Sequence, residues 1–310
     1  MESIGSLWMW GGFLVFIMFM LALDLGVFHK KTHQVSFKEA SIWSAVWVAL
    51  AMIFNVGIWN YFGSEKALEF FTGYVLEKSL SVDNIFVFVL IFSSFAVPSV
   101  LQHRVLFWGV LGALLLRAIF IFAGAALIAK FHWLLYVFGA FLVFTGINLL
   151  RSSNESADPK NNGLVKLFRK FIPTVDRYDE DKFFTVENGK RYATMLLIAL
   201  VAIEASDLLF AIDSIPAIFA VTRDPFIVFT SNIFAILGLR SLYFLLAGMM
   251  DKFYYLKTGL AAILTFVGIK MLLLEVYKIP ILLSLGIIAA ILTISIFASL
   301  RRPIQANNNI

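Results

Sequence analysis

Six carboxylates lie within segments of this chain that are otherwise apolar enough to span a bilayer: Asp24, Glu77, Asp83, Glu204, Asp207 and Asp213. One carboxylate at membrane depth costs about 2.5–3.5 kcal/mol before compensation, so six cost roughly 15–20 kcal/mol. That exceeds the folding stability of a typical domain. Paired cations or a transported ion must offset it. Glu204 and Asp207 are three residues apart and share a helix face. Glu77 and Asp83 are six apart, as are Asp207 and Asp213, which is about 9 Å along and roughly 120° around a straight helix. They meet only if the helix unwinds between them. Pro216 favours such a break, because its ring clashes with the Ile212 carbonyl and offers it no N–H. Ser79 and Ser81 are weak helix formers and permit a similar break beside Asp83.

The supporting polar residues Asn84, Ser214 and Asn232 also offer oxygen. An all-oxygen set suits Mg²⁺, Ca²⁺ and Mn²⁺. The chain has no cysteine, and its four histidines, His29, His33, His103 and His132, fall at span ends or in loops, so a zinc or copper site is not expected. The bases inside spans are Lys78, Arg117, Arg240 and Lys270. The first three read as counter-charges, while Lys270 is close enough to a span end to snorkel out. Six acids against four bases leave a deficit of two charges. A divalent cation balances that deficit, as do protons when the cation is gone. No resident cofactor is expected.

These acids are positioned by an all-α, polytopic bundle. The chain has 310 residues, of which 61% are apolar and only 15% charged, against about 25% charged in a soluble protein. The net charge of +5 is not a nucleic-acid footprint, because the basic residues sit in short loops. About nine segments are long enough to cross, near 7–28, 41–62, 67–97, 104–128, 131–150, 192–220, 226–249, 254–275 and 279–300. One set of loops carries 17 Lys and Arg residues and the other carries 4. The bias predicts an outside N-terminus and a cytoplasmic C-terminus. The 151–191 loop is then cytoplasmic and reads as a solvated connector. It holds a basic, apolar stretch at 165–171 that suits a membrane surface. It also holds a hairpin around Asn188-Gly189, since Asn-Gly supplies the positive φ of a type I′ turn.

The two halves resemble each other. Leu80-Ser81-Val82-Asp83-Asn84-Ile85 aligns with Phe210-Ala211-Ile212-Asp213-Ser214-Ile215, which puts Glu77 on Asp207. Leu115-Leu116-Arg117-Ala118 aligns with Gly238-Leu239-Arg240-Ser241, and Phe144-Thr145-Gly146-Ile147 with Phe266-Val267-Gly268-Ile269. The repeat unit is three spans, 3–5 and 6–8. An odd number inverts the second copy, as in many secondary transporters. Residues 1–310 are expected to form a single transmembrane domain, with the 151–191 loop between the repeats.

At the stretches Thr72-Gly73-Tyr74-Val75-Leu76-Glu77-Lys78-Ser79-Leu80-Ser81-Val82-Asp83-Asn84, Ile203-Glu204-Ala205-Ser206-Asp207 and Ala211-Ile212-Asp213-Ser214-Ile215-Pro216-Ala217, the chain resembles the TerC/Alx family of integral membrane proteins, most closely its Alx branch. The run Thr230-Ser231-Asn232-Ile233-Phe234-Ala235-Ile236-Leu237-Gly238-Leu239-Arg240 matches as well. The resemblance covers almost the whole chain. It implies a bacterial inner-membrane protein of the LysE-type transporter group, associated with manganese efflux and, by name, with tellurium resistance. It implies that the six carboxylates are the transport positions. The expected partners are membrane lipid, a divalent metal ion and protons, with no nucleic acid and with the oligomeric state left open. The expected activity is export of Mn²⁺, coupled to protons moving inward, and not an enzymatic one. Two alternatives stand beside it. One is a metal-binding membrane sensor or assembly factor. The other is an intramembrane aspartyl protease, whose Gly-x-Gly-Asp motif precedes neither Asp83 nor Asp213.

Overall fold

A computed structural model of the chain describes residues 3–28, 36–131, 133–151, 163–187, 189–247, 255–277 and 279–301, with the side chains of 23–28, 83, 163 and 164 outside the description. The side chains of Asp24 and Asp83 therefore lie outside the described residues. The described residues form eleven α-helices and one two-stranded sheet. The helices are α1 (Leu7–Phe28), α2 (Phe37–Phe62), α3 (Ser64–Ser94), α4 (Ser99–Lys130), α5 (Leu134–Arg151), α6 (Gly163–Phe171), α7 (Met195–Phe219), α8 (Pro225–Leu237), α9 (Leu239–Leu246), α10 (Leu256–Leu272) and α11 (Ile281–Arg301). The strands are β1 (Phe184–Glu187) and β2 (Lys190–Ala193).

Each of the nine apolar segments is helical. Five helices, α2, α4, α5, α7 and α11, have the length and composition to cross a membrane, or six if α8 and α9 count as one span bent by 41°. Leu7, Val15, Leu282, Ile294 and Phe297 point away from the protein core. In water such a surface would drive aggregation, and in a bilayer it is the lipid face.

Local chemistry sets the helix ends. Ser36 caps α2, its hydroxyl accepting the Glu39 N–H at 3.2 Å. Gly63, at φ +87°, turns the chain from α2 into α3. Asp224 caps α8 by accepting from Phe226 N–H at 2.9 Å, with Pro225 at the first helical position.

The unwinding expected beside the acids does not occur. α3 is continuous through Ser79 and Ser81, whose hydroxyls bond back to the carbonyls of Val75 (2.5 Å) and Glu77 (2.7 Å). α7 is continuous through Pro216, the freed carbonyl being tolerated as it is in other membrane helices. The break lies at Gly238 instead, between α8 and α9. There the Lys78 ammonium donates to the Ala235 carbonyl at 3.2 Å. A Cβ on Gly238 would sit 2.7 Å from that Lys78 nitrogen.

α3 packs on α7 and α8, α4 on α7 and α8, and α5 on α10. The α5–α10 crossing is close because it is lined by glycine. A Cβ on Gly146 would lie 2.7 Å from the Ala261 carbonyl oxygen and 2.8 Å from Thr265 N. A Cβ on Gly268 would lie 2.7 Å from the Gly139 carbonyl oxygen and 2.8 Å from Val143 N. Low numbers on α5 meet high numbers on α10, so the two helices run antiparallel. At the far end of α8, Phe13, Phe54, Phe70, Phe226 and Phe234 interlock α1, α2, α3 and α8 through ring pairs 5.0–6.4 Å apart.

The described part of the loop between α5 and α7, from residue 163 on, makes contacts with the helices. β1 and β2 pair from Phe184↔Ala193 to Glu187↔Lys190 across a turn containing Gly189 at φ +76°. This is the predicted hairpin, with Asn188 outside the described residues. Arg104 pairs with Asp181 and lies 5.3 Å over the Phe183 ring. The Tyr178 hydroxyl donates to the Phe95 carbonyl at 2.8 Å, and burial pushes its pKa up to about 12, so it remains a donor across the physiological range. The basic stretch forms α6, which packs against α7 with Leu167 and Phe171 exposed.

Candidate ion site

Arg117, on α4, is almost wholly buried at 1% exposure, where α3, α7 and α8 converge. Its Nη1 pairs with Glu77 Oε1 on α3. The same nitrogen donates to Ser214 Oγ on α7 at 3.2 Å and to Asn232 Oδ1 on α8 at 2.8 Å. Its Nη2 lies 3.5 Å from Asp207 Oδ1 on α7. Asn84 donates weakly to the same Asp207 oxygen, at 3.5 Å. Asn232 is aimed by its own amide, which donates to the Val228 carbonyl one turn back at 3.3 Å. The planar guanidinium suits this task, because its fork can reach two carboxylates at once.

The centre is not electrically complete. Glu77 Oε2, Asp207 Oδ2 and Asn84 Oδ1 are buried without a hydrogen-bond partner, and so is Arg117 Nε. Each orphaned buried polar atom costs about 1–3 kcal/mol. Three oxygens from three residues on two helices are therefore unsatisfied. Asn84 and Arg117, but not Glu77 or Asp207, line a cavity of about 150 Å³ whose other polar residues are Thr145, Asp213 and Ser214. It has room for a partly hydrated ion.

The four predicted acids whose side chains are described, Glu77, Glu204, Asp207 and Asp213, do not all line one cavity. Glu77 and Asp207 are joined through Arg117, and Asp213 lines the adjoining cavity. Glu204, one turn before Asp207 on α7 and close enough to feel its charge, faces an apolar cleft with Leu116, Phe168, Phe171, Val201 and Leu208. Its carboxylate lies against Gly112, where any Cβ would collide with it, and its Oε2 has no hydrogen-bond partner. No three His, Cys, Asp or Glu side chains among the described residues are close enough to hold one ion. Among the bases, Arg240 is buried at the start of α9, and Lys78 reaches the α8–α9 break. Lys270 lies on α10. It is 5% exposed in the last turn of α10, because that turn packs onto α5 around Gly139.

A second polar cluster, which the sequence reading did not single out, lies at the opposite end of α3. Glu69 accepts from Lys66 Nζ at 2.9 and 3.0 Å and from Thr222 Oγ1 at 2.6 Å. Asp224 accepts from Ser3 Oγ (3.0 Å) and Ile4 N (2.8 Å), which fastens the start of the chain to the α7–α8 turn. These residues border a cavity of about 410 Å³ with Arg223 and Leu274. The Asp-Pro step at 224–225 is the sequence signal for this turn.

Fold and centre together define a helical integral membrane protein with a charged, buried core. The chain belongs to the Integral membrane protein TerC family, whose model matches residues 62–307. It is 60% identical over 298 residues to an uncharacterized membrane protein of Myxococcus xanthus, covering 96% of this chain and 93% of that one. It is 49% identical over 304 residues to the "Putative membrane-bound redox modulator Alx" of Escherichia coli (strain K12), covering 95% of each. No solved structure matches the chain.

Proposed function

We propose that the chain is a divalent-cation exporter of the bacterial inner membrane, with Mn²⁺ as its cargo. The observation that carries this reading is the set of orphaned buried oxygens, Glu77 Oε2, Asp207 Oδ2 and Asn84 Oδ1, linked through Asn84 and Arg117 to a cavity walled by Asp213 and Ser214. Carboxylate and amide oxygens are ligands for Mg²⁺, Ca²⁺ and Mn²⁺. In this reading Glu77, Asp207 and Asn84 hold the ion first, and Asp213 and Asp83 take it up along its path, since no three carboxylates among the described residues are close enough to hold it at once. Asp24 and Glu204 serve its approach and release, and Arg240 and Lys78 balance the remaining charge.

The architecture in this proposal is nine spans, with the N-terminus outside, and an inverted repeat of α3–α5 on α7–α10. The reciprocal glycine contacts support it. Gly146 meets Ala261 and Thr265, and Gly268 meets Gly139 and Val143. Residues 139, 143 and 146 differ from 261, 265 and 268 by a constant 122, as a two-fold axis between the helices requires. Antiparallel α5 and α10 fit inverted copies and not parallel ones. Inverted repeats of this kind carry alternating access around a midplane site.

Export is taken to be proton-coupled, because the acids within spans outnumber the bases there. Protons bound from outside return to the cytoplasm as Mn²⁺ displaces them. The relatives' name as redox modulators fits an effect through metal supply, since this chain has no cysteine for thiol chemistry. The test is Mn²⁺ accumulation by inverted vesicles under an imposed pH gradient, with Mg²⁺ and Ca²⁺ as competitors. Accumulation that a protonophore abolishes at zero membrane potential supports the reading. Binding without accumulation points to the sensor instead.

A further inference from the structure

We infer that Arg117 is a tethered counter-cation that occupies the ion site when it is empty, so that the guanidinium and the incoming divalent ion exchange for the same carboxylates. The inference rests on the exporter reading and identifies how its site is filled between turnovers. Four observations carry it.

First, Arg117 bridges Glu77 and Asp207, the two acids that align between the halves of the chain, at one oxygen each. Their second oxygens point at no donor. A divalent ion is the partner able to satisfy both carboxylates together. Second, the other groups around the guanidinium, Ser214 Oγ and Asn232 Oδ1, offer oxygen, so the nest built for Arg117 is made of ion ligands. Third, Arg117 Nε has no acceptor, although it is buried. A purely structural buried arginine gains by satisfying all its donors, and this one does not. Fourth, the guanidinium borders the cavity that also holds Asp213. It therefore has space to move and a third carboxylate to move towards.

The charge balance agrees. Glu77 and Asp207 with Arg117 carry one net negative charge, whereas with a divalent ion they carry none. The empty centre is thus partly neutralised by the protein itself, and one proton completes it. Arg117 then acts as a release device, since a cation that competes for the ligands raises the rate at which the ion leaves.

The experiment uses the purified full-length chain. Mn²⁺ binding is followed by loss of the electron paramagnetic resonance signal of free aqueous Mn²⁺, for wild type, Arg117→Gln and Arg117→Lys. Lysine keeps the charge but cannot bridge both carboxylates, so it carries the test if the glutamine variant is not recovered from the membrane. The expected result is binding about tenfold tighter or more in the variants, with export in inverted vesicles reduced to background because the ion is held. A structural role for Arg117 would weaken binding instead. Binding equal to or weaker than wild type in both variants overturns the inference, as does tighter binding with export at the wild-type rate. If neither the wild type nor either variant binds Mn²⁺, the exporter reading falls and takes the inference with it. If the wild type binds and exports while the variants bind no tighter, only the inference falls.

Discussion

Gly146 and Gly268 sit in matching surroundings on opposite helices. Each backbone is so close to its neighbour that a Cβ would come within 2.7 Å of a carbonyl oxygen and 2.8 Å of an amide nitrogen. The neighbours, Ala261 and Thr265 for one and Gly139 and Val143 for the other, are themselves related by the same sequence offset. This crossing joins the two halves of the chain, beside the packing of α3 and α4 on α7 and α8, and it has no slack on either side.

Gly146→Ala and Gly268→Ala should each lower stability by about 1–3 kcal/mol, because the added methyl forces the backbones of α5 and α10 apart. Gly57→Ala is the control. It lies within α2 with no neighbouring atom in the way, and it should be neutral or stabilising by up to about 1 kcal/mol. Thermal unfolding in detergent reads both. A large loss at Gly57, or none at Gly146, would contradict the packing.

Asp83→Asn and Asp213→Asn should abolish Mn²⁺ export while leaving the protein in the membrane. Asparagine removes the charge at nearly constant shape, and Asp213 lines the cavity beside Arg117. Growth in high manganese, with membrane levels checked by blotting, is the measurement. Normal resistance in either variant would remove that residue from the site.

Glu77→Gln should cost about 1–3 kcal/mol of stability, since it removes one of the two ion pairs of the buried Arg117 and leaves only Asp207, at 3.5 Å. The double variant Glu77→Gln/Arg117→Gln should recover much of that loss. A double-mutant cycle on thermal unfolding gives the coupling, and additive losses would show that the two charges do not depend on each other.

Lys270→Met should raise thermal stability. Lys270 is 5% exposed and has no hydrogen bond or ion pair among the described residues. A charged side chain inside a span costs about 2.5–3.5 kcal/mol, while Met keeps the volume without the charge. A fall in melting temperature would mean that the ammonium has a partner the fold relies on.

Ser6→Cys should react with an impermeant thiol reagent in intact cells, and Asn307→Cys should not. The chain has no cysteine of its own, so the labelling is unambiguous. The reverse pattern would invert the proposed orientation.

Much of this protein is legible in its sequence because membrane helices are local objects. A run of apolar residues must satisfy its own backbone and so becomes a helix. That is why all nine apolar segments are helical, and why Asn188-Gly189 marked the hairpin. The long motifs around Glu77 and Asp207 marked the family. Tertiary packing alone decided which charges meet. Arg117 takes both Glu77 and Asp207, Lys78 turns to the Ala235 carbonyl, Glu204 lies against Gly112, and Lys270 is buried. Packing also moved the helix break from Pro216, where local chemistry put it, to Gly238, where the Lys78 side chain from another helix meets the buried carbonyl of Ala235. These outcomes depend on groups brought together across separations of up to 157 residues, and no local pattern encodes the partner at such a distance.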